Sequence, residues 1–234
     1  MQVKAILLDI EGTTTSIRFV HEVLFPYARE ALPAFVRAHS EDAPIAALLE
    51  QSRAEAGTPE ASLEASIDQL LQWIAEDKKV TPLKALQGHI WKSGYESGDF
   101  TGHVYDDTPE YLSKWSESGL GLYVYSSGSV QAQKLLFGYS DAGDLCPRFA
   151  GYFDTKVGHK REEASYRAIS ESIGLAAQDI LFLSDITEEL DAAASAGMQT
   201  TQLVRDQYTE AGTKHPTARD FGEIELLAVS TSEE

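Results

Sequence analysis

Asp9 and Glu11 close a short apolar run, Val3-Lys4-Ala5-Ile6-Leu7-Leu8, and are followed by the turn Gly12-Thr13-Thr14-Thr15. Residues two apart on an extended backbone share a face, so both carboxyls point at the same small volume. Carboxylates held that close repel unless something offsets them, and the usual offsets are a divalent cation or a shared proton. Three other stretches offer matching chemistry. Ser126-Ser127-Gly128-Ser129 combines hydroxyls with the amides that open a helix, a setting suited to phosphate, although a serine N-cap beside a glycine turn accounts for the same letters. Asp154-Thr155-Lys156-Val157-Gly158-His159-Lys160 sets two lysines ahead of a helix, and Lys160, immediately before it, is the better placed to enter a cleft as a point charge. Ser184-Asp185, with Glu188 and Glu189 on the next helical turn, provides either a third oxygen ligand for a cation beside Asp9 and Glu11 or an N-cap aspartate. Each stretch has a plain explanation as a cap, a turn or a solvated charge. If the fold gathers them, they make a phosphate pocket with a magnesium floor.

The elements that must do the gathering follow from periodicity. Val3 to Leu8 reads as a strand covered on both faces, as in the middle of a parallel sheet. Phe19, Val23, Leu24, Ala28, Ala31, Leu32, Phe35 and Val36 then recur at helical steps, with Pro26 and Pro33 expected to kink or restart the helix. A second helix is expected over about 44–56. A third is capped by Thr58-Pro59-Glu60, and a fourth starts at Thr81-Pro82 and stops near Gly94 to Gly98. From Val104 onward helix and strand alternate, the signature of a parallel sheet: helix 108–118, strand 120–125, helix 128–137, strand 149–153, helix 162–173, strand 180–183, helix 187–196 and strand 200–204. Asp206 to Asp220 reads as polar loop, Ile224 to Leu227 as an edge strand or short helix, and Ser230 to Glu234 as a frayed end. The expected fold is α/β, a Rossmann-like parallel sheet core over residues 1–17 and 103–234 with an all-helical cap domain inserted over 18–102. Ligands of such sheets bind beyond the carboxyl ends of the strands, where all four chemical stretches fall.

Composition narrows the function classes. A formal net charge of −18 over 234 residues opposes nucleic acid and anionic membrane surfaces. It does not oppose a small anionic substrate, because bulk charge is screened beyond about 10 Å and local cations and amides decide binding in a pocket. A single cysteine, Cys146, leaves no intrachain disulfide and no zinc-ligand spacing. The strand begins at once, leaving no room for a signal peptide, and no apolar run approaches about 18 residues. The expectation is a soluble, cytoplasmic monomer.

Asp9-Ile10-Glu11-Gly12-Thr13-Thr14, a serine after the second strand, a lysine before a later helix and an acid after the fourth strand resemble the haloacid dehalogenase superfamily of phosphatases. That superfamily normally carries Asp-x-Asp, and this chain departs from it at Glu11. With Tyr125-Ser126-Ser127-Gly128-Ser129-Val130 and Phe153 to Lys160, the departure resembles the enolase-phosphatases of methionine salvage. The resemblance implies Mg²⁺-dependent enolisation of 2,3-diketo-5-methylthiopentyl-1-phosphate, followed by phosphate hydrolysis through an aspartyl-phosphate to give the acireductone. It implies Asp9 as nucleophile, Glu11 as general acid and base, Asp9, Glu11 and Asp185 as the Mg²⁺ set, and Ser126, Ser127 and Lys160 on the phosphate. It implies also that the helical insertion closes over the cleft, with Phe19, Phe25, Tyr27, Trp91 and Tyr95 either contacting the methylthio tail or forming cap core.

Rival readings remain at this stage. A related Mg²⁺-dependent phosphatase would act on a sugar phosphate or another small phosphomonoester. Haloacid dehalogenase itself needs no metal and has little use for Glu11 or Asp185. A signalling receiver would carry its phosphorylated aspartate on the third strand, where Asp154 stands, and a catalytically dead binding protein would have no need of the full set.

Overall fold

The computed structural model describes residues 3–224 and 226. Two compact units divide the chain: Met1–Ile17 with Gly102–Glu234, and Arg18–Thr101.

The first unit is built on a six-stranded sheet in the order β3-β2-β1-β4-β5-β6. Its strands are β1 (Ala5–Leu8), β2 (Gly121–Tyr125), β3 (Gly151–Phe153), β4 (Ile180–Ser184), β5 (Gln199–Leu203) and β6 (Thr217–Ala218), every neighbouring pair parallel. β1 is flanked on both sides, Ala5 pairing in register with Gly121 and with Ile180. The unbroken apolar letters of β1 reflect that position: all four residues are buried, and Asp9 follows directly where the strand ends. The chain steps from β1 outward to β2 and β3, then crosses to β4 on the other side. This places the reversal of strand order between β1 and β4, the point beyond whose carboxyl ends ligands of such sheets bind.

Parallel strands need long crossovers, supplied here by α6 (Thr108–Glu117), α7 (Val130–Gly138), α8 (Glu163–Ile173) and α9 (Thr187–Ser195). Ala5, Leu7, Ile180 and Phe182 share a core with Tyr166 and Ile169 of α8 and Leu190, Ala192 and Ala193 of α9. The polar stretch expected to be loop between Asp206 and Asp220 contains β6, which extends the sheet edge through Gln202 paired with Thr217 and Leu203 with Ala218. Two residues are too few to show periodicity, so the strand left no sequence signal. The expectation for Ile224 to Leu227 falls partly, and that for Ser230 to Glu234 wholly, outside the described residues.

The second unit is all helical among its described residues. α1 (Ile17–Phe19) begins at the boundary and runs through a π-helical stretch, Val20–Leu24, into α2 (Phe25–His39). α3 (Ala43–Glu55), α4 (Leu63–Ala75) and α5 (Thr81–Ser97) follow. Pro26 falls in the first turn of α2, directly after the π-helical stretch. Pro33 lies inside the same helix without ending it, so of the kink or restart expected there the restart does not occur. The wider turn ahead of Pro26 is held by the Trp91 indole N–H, which donates to Leu24 O at 2.8 Å. The cap of α4 is Ser62, whose Oγ accepts from Ala65 N at 3.2 Å, and not Thr58; Thr58 to Glu60 form a turn. α5 runs through Gly94 to a left-handed Gly98. Gly94 stays helical because it is a contact: a Cβ there would stand 2.5 Å from the Phe100 ring and 2.7 Å from Tyr27. The unit's core is one face from each helix, including Leu32 and Val36, Ile45 and Leu49, Ile67 and Leu70, and Leu86 and Ile90. Among the aromatics weighed for ligand contact, Phe19 and Tyr95 are buried against Phe100 together with Tyr27, and half-buried Phe25 stacks on Trp91.

Candidate active site

β1 ends by handing Asp9 to the crevice. The Asp9 amide still donates to Leu183 O at 2.9 Å, so the residue is fixed to β4 as the ladder ends. Its side chain is 3% exposed. Oδ1 accepts from Ile10 N at 2.8 Å and from Lys160 Nζ at 2.5 Å, while Oδ2 faces Ser184 Oγ at 3.2 Å. Lys160 reaches Asp9 from the loop after β3, its ammonium 2.7 Å from Glu189 Oε2 as well. The Tyr166 hydroxyl donates to Lys160 O at 2.7 Å and anchors the lysine backbone to α8. Burial alone would pull the lysine pKa down, but the carboxylates of Asp9 and Glu189 hold it above its ordinary value.

Beyond Asp9 the chain turns tightly. Thr13, Thr14 and Thr15 amides all donate to Ile10 O, and Gly12 N donates to Thr15 O at 2.8 Å. The turn needs glycine twice over. Gly12 has φ of 73°, and a Cβ on it would lie 2.3 Å from Asp185 Oδ2, so the carboxylate that follows β4 rests directly on this backbone. Glu11 projects from the same turn, and Ser126 Oγ faces its Oε2 across a long 3.5 Å. Burial and the nearby negative charge of Asp9 raise the Glu11 pKa. This favours the protonated form of Glu11 and suits it to proton transfer.

Of the residues singled out by sequence, the structure brings Asp9, Glu11, Ser126, Lys160 and Asp185 to these strand ends. Ser126 is buried and accepts from Gly128 N at 3.1 Å, whereas Ser127 is exposed. The N-cap role belongs to Ser129, whose Oγ accepts from Ala132 N at 3.2 Å. Asp154 is spent on backbone amides, accepting from Lys156 N at 2.9 Å and Val130 N at 3.4 Å. It therefore braces the loop after β3 and is not presented as the phosphoacceptor a receiver would need.

Two further members of the site, Ser184 and Glu189, were named in the sequence only as neighbours of Asp185 and given no role there. Ser184 is the last residue of β4, and its hydroxyl lies 3.2 Å from Asp9 Oδ2 and 3.1 Å from Glu189 Oε2 while accepting from Ile186 N. Glu189 is four residues after Asp185, one turn into α9, and only 8% exposed. Its helical spacing from Asp185 was the available signal, since buried glutamates are rare without a partner. The geometry supplies that partner in Lys160.

Asp185 fits a cation. Its Oδ1 is buried and has no hydrogen-bond partner among the described residues, and burial together with the charge of Asp9 raises its pKa to about 7. The helix that follows is capped by Ile186 without a side-chain bond, so Asp185 is not an N-cap. Among the described residues no three His, Cys, Asp or Glu side chains are drawn into a ready-made metal cage. Mg²⁺ asks for less, since it keeps several waters and is held by one or two carboxylates together with substrate phosphate.

A six-stranded parallel sheet with an aspartate closing its central strand defines the class: the chain belongs to the haloacid dehalogenase-like hydrolases, whose family model matches residues 3–197. Within that class, relatives more than half identical to it are enolase-phosphatases. It is 58% identical over 224 residues to enolase-phosphatase E1 of Serratia proteamaculans (strain 568), covering 96% of this chain and 97% of that protein. It is 57% identical to enolase-phosphatase E1 of Pseudomonas aeruginosa (strain UCBPP-PA14), covering 96% and 99%. The crystal structure of the UTR4 protein of Saccharomyces cerevisiae is similar over 95% of this chain and 100% of that one, with a TM-score of 0.81 at 36% identity.

Proposed function

We propose that this chain is a bifunctional hydrolase that enolises 2,3-diketo-5-methylthiopentyl-1-phosphate and then removes the phosphate, yielding the acireductone of methionine salvage. The observation that carries the reading is the division of labour between two carboxyls: Asp9 is held by Lys160 and Ser184, and Glu11 is held apart from them beside Ser126. Family membership and relatives of the same name over nearly the whole chain support it.

The chemistry follows from these placements. An Asp9 carboxylate oxygen attacks phosphorus in line with the ester oxygen, forming the aspartyl O–P bond as the ester P–O bond breaks. Asp9 is pre-aimed for this, because bonds from Ile10 N, Lys160 and Ser184 leave it little rotational freedom. Glu11, whose protonated form is favoured by burial and by the charge of Asp9, gives a proton to the departing oxygen. As a carboxylate it then takes a proton from the water that attacks the aspartyl-phosphate, releasing phosphate and restoring Asp9. Lys160, Ser126 and Ser127 neutralise and orient the phosphoryl oxygens. Mg²⁺, held by Asp9 and Asp185 with Glu11 as the third residue of the set, would let the anionic nucleophile and phosphate approach each other. In the enolisation the same Glu11 carries the proton, its extra methylene relative to aspartate reaching the substrate carbon. The helical unit, Arg18–Thr101, is read as the cap of this pattern, and the protein as a cytoplasmic monomer. No helix among the described residues is long and apolar enough to cross a membrane.

The test is Mg²⁺-dependent phosphate release from the diketone phosphate, with the enediol followed by ultraviolet absorbance. Both signals are expected, the absorbance rising before phosphate appears. Turnover of sugar phosphates with neither signal from the diketone would overturn the assignment.

A further inference from the structure

Arg205 stands just beyond β5, outside the residues that touch the reacting groups, and is 4% exposed in its side chain. A guanidinium so deeply buried needs partners for nearly all its donors, and it has them. Nε and Nη2 donate to Thr13 O at 3.0 and 2.8 Å, and Nη1 donates to the two Asp107 oxygens at 2.9 and 2.8 Å. The plane is held between the Tyr105 ring at 4.6 Å and the Phe221 ring at 4.4 Å. Asp107 is fixed in turn by Phe221 N, 2.7 Å from Oδ2. Stability alone explains this poorly, since a buried ion pair is often no better than apolar packing of the same volume.

The partner that matters is Thr13 O. Asp9 does not depend on it, because Leu183 O, Ser184 and Lys160 hold that residue from β4 and the loop after β3. Glu11 has no such anchor in the sheet. It rides on the Ile10–Thr15 turn, whose inner amides are satisfied by Ile10 O and whose Thr13 carbonyl is gripped from outside by two prongs of Arg205. We propose that Arg205 is a positioning residue for Glu11, clamping the turn so that the acid–base carboxyl keeps its place independently of the nucleophile. The proposal rests on the reading above of Glu11 as the proton carrier.

Three variants test it: Arg205→Lys, Arg205→Ala and Asp107→Asn. Lysine cannot grip one carbonyl with two prongs while reaching Asp107. A displacement of the order of 1 Å costs up to about 100-fold, so Arg205→Lys is expected to lose roughly 10- to 100-fold in kcat for both steps, with KM changed by less than about threefold. Guanidinium ion at millimolar concentration should restore Arg205→Ala by roughly tenfold, leaving the parent unchanged, because the missing group is small and its pocket aromatic. Asp107→Asn keeps the bonds to Thr13 O; it should lower the melting temperature but leave kcat within about threefold. Parallel losses of melting temperature and kcat in all three variants without rescue, or a loss confined to KM, would make Arg205 merely structural. Hydrogen exchange at the Gly12 to Thr15 amides supplies a reading without substrate: it should quicken in Arg205→Ala and not in Asp107→Asn. If the parent protein leaves the diketone phosphate untouched, the functional reading fails instead, and the exchange comparison still decides whether Arg205 clamps the turn.

Discussion

At the residue scale the proposed reaction separates a carboxyl that attacks from one that moves protons. Shortening Glu11 to aspartate should slow enolisation by roughly 10-fold or more while slowing dephosphorylation less, since only the carbon proton needs the extra methylene; equal losses in the two steps, assayed separately, would remove that role. Glu189 shares Lys160 with Asp9. In Glu189→Gln the ammonium has one carboxylate left and should settle on the nucleophile. The expected result is a fall in kcat of about 10-fold with little change in thermal stability, read from steady-state kinetics and melting curves. Asp9, Glu11, Ser126 and Asp185 were legible because each stood at or just past a strand end beside a turn, and Lys160 because it stood just ahead of a helix. Ser184 and Glu189 were not, because one looks like a strand letter and the other like a solvated helical acid. What draws them into the site is a contact with Asp9 or Lys160, far away in sequence, which no local pattern records.

At the scale of elements, β5 presents no acid or hydroxyl to the chemistry yet braces both acid-bearing loops. Arg205, beyond its end, grips the turn after β1. Gln202, inside it and 1% exposed, donates to Asp185 O at 3.0 Å and Glu210 O at 2.9 Å and accepts from Gly212 N at 2.7 Å. Gln202→Leu keeps the volume but strands those three backbone groups, and should cost roughly 2–4 kcal/mol in a denaturant titration, with weaker Mg²⁺ affinity because Asp185 loses its tether. The alternation of helix and strand was plain in the letters, since long amphipathic or uniformly apolar stretches carry a period. The bracing was not: Gln202 sits inside the expected strand and Arg205 just past its end, where neither letter marks a long-range bond, and β6, which makes the following loop part of the sheet, is too short to have a period at all.

At the scale of the whole molecule, the crevice concentrates carboxyls in a chain that is already strongly acidic. Asp185 and Glu189 have pKa values raised to about 7, in both cases by burial first and the charge of Asp9 second. The folded, metal-free chain therefore binds protons there that the unfolded chain has released by about pH 5, and its stability should fall as pH rises from about 5 to above 7. Lys160 contributes nothing to this window, since the stability due to its raised pKa is lost only in strongly alkaline solution. Added Mg²⁺ should raise the melting temperature more at pH 8 than at pH 5.5, where protons compete for the same oxygens; an equal rise at both values would mean that these carboxyls do not hold the ion.

The helical unit leaves and rejoins the core through two stretches that are already stitched together. Ser16 N donates to His103 Nδ1 at 3.2 Å, Thr15 Oγ1 donates to His103 O at 2.5 Å, and Tyr105 N donates to Thr14 O at 3.0 Å. The whole insertion is thus a cassette spliced between neighbouring points. Closing that gap with a short linker costs less chain entropy than closing the original long excursion. A core shortened in this way should keep its sheet and its acid cluster, and the activities it lost would be a direct measure of what the cassette contributes.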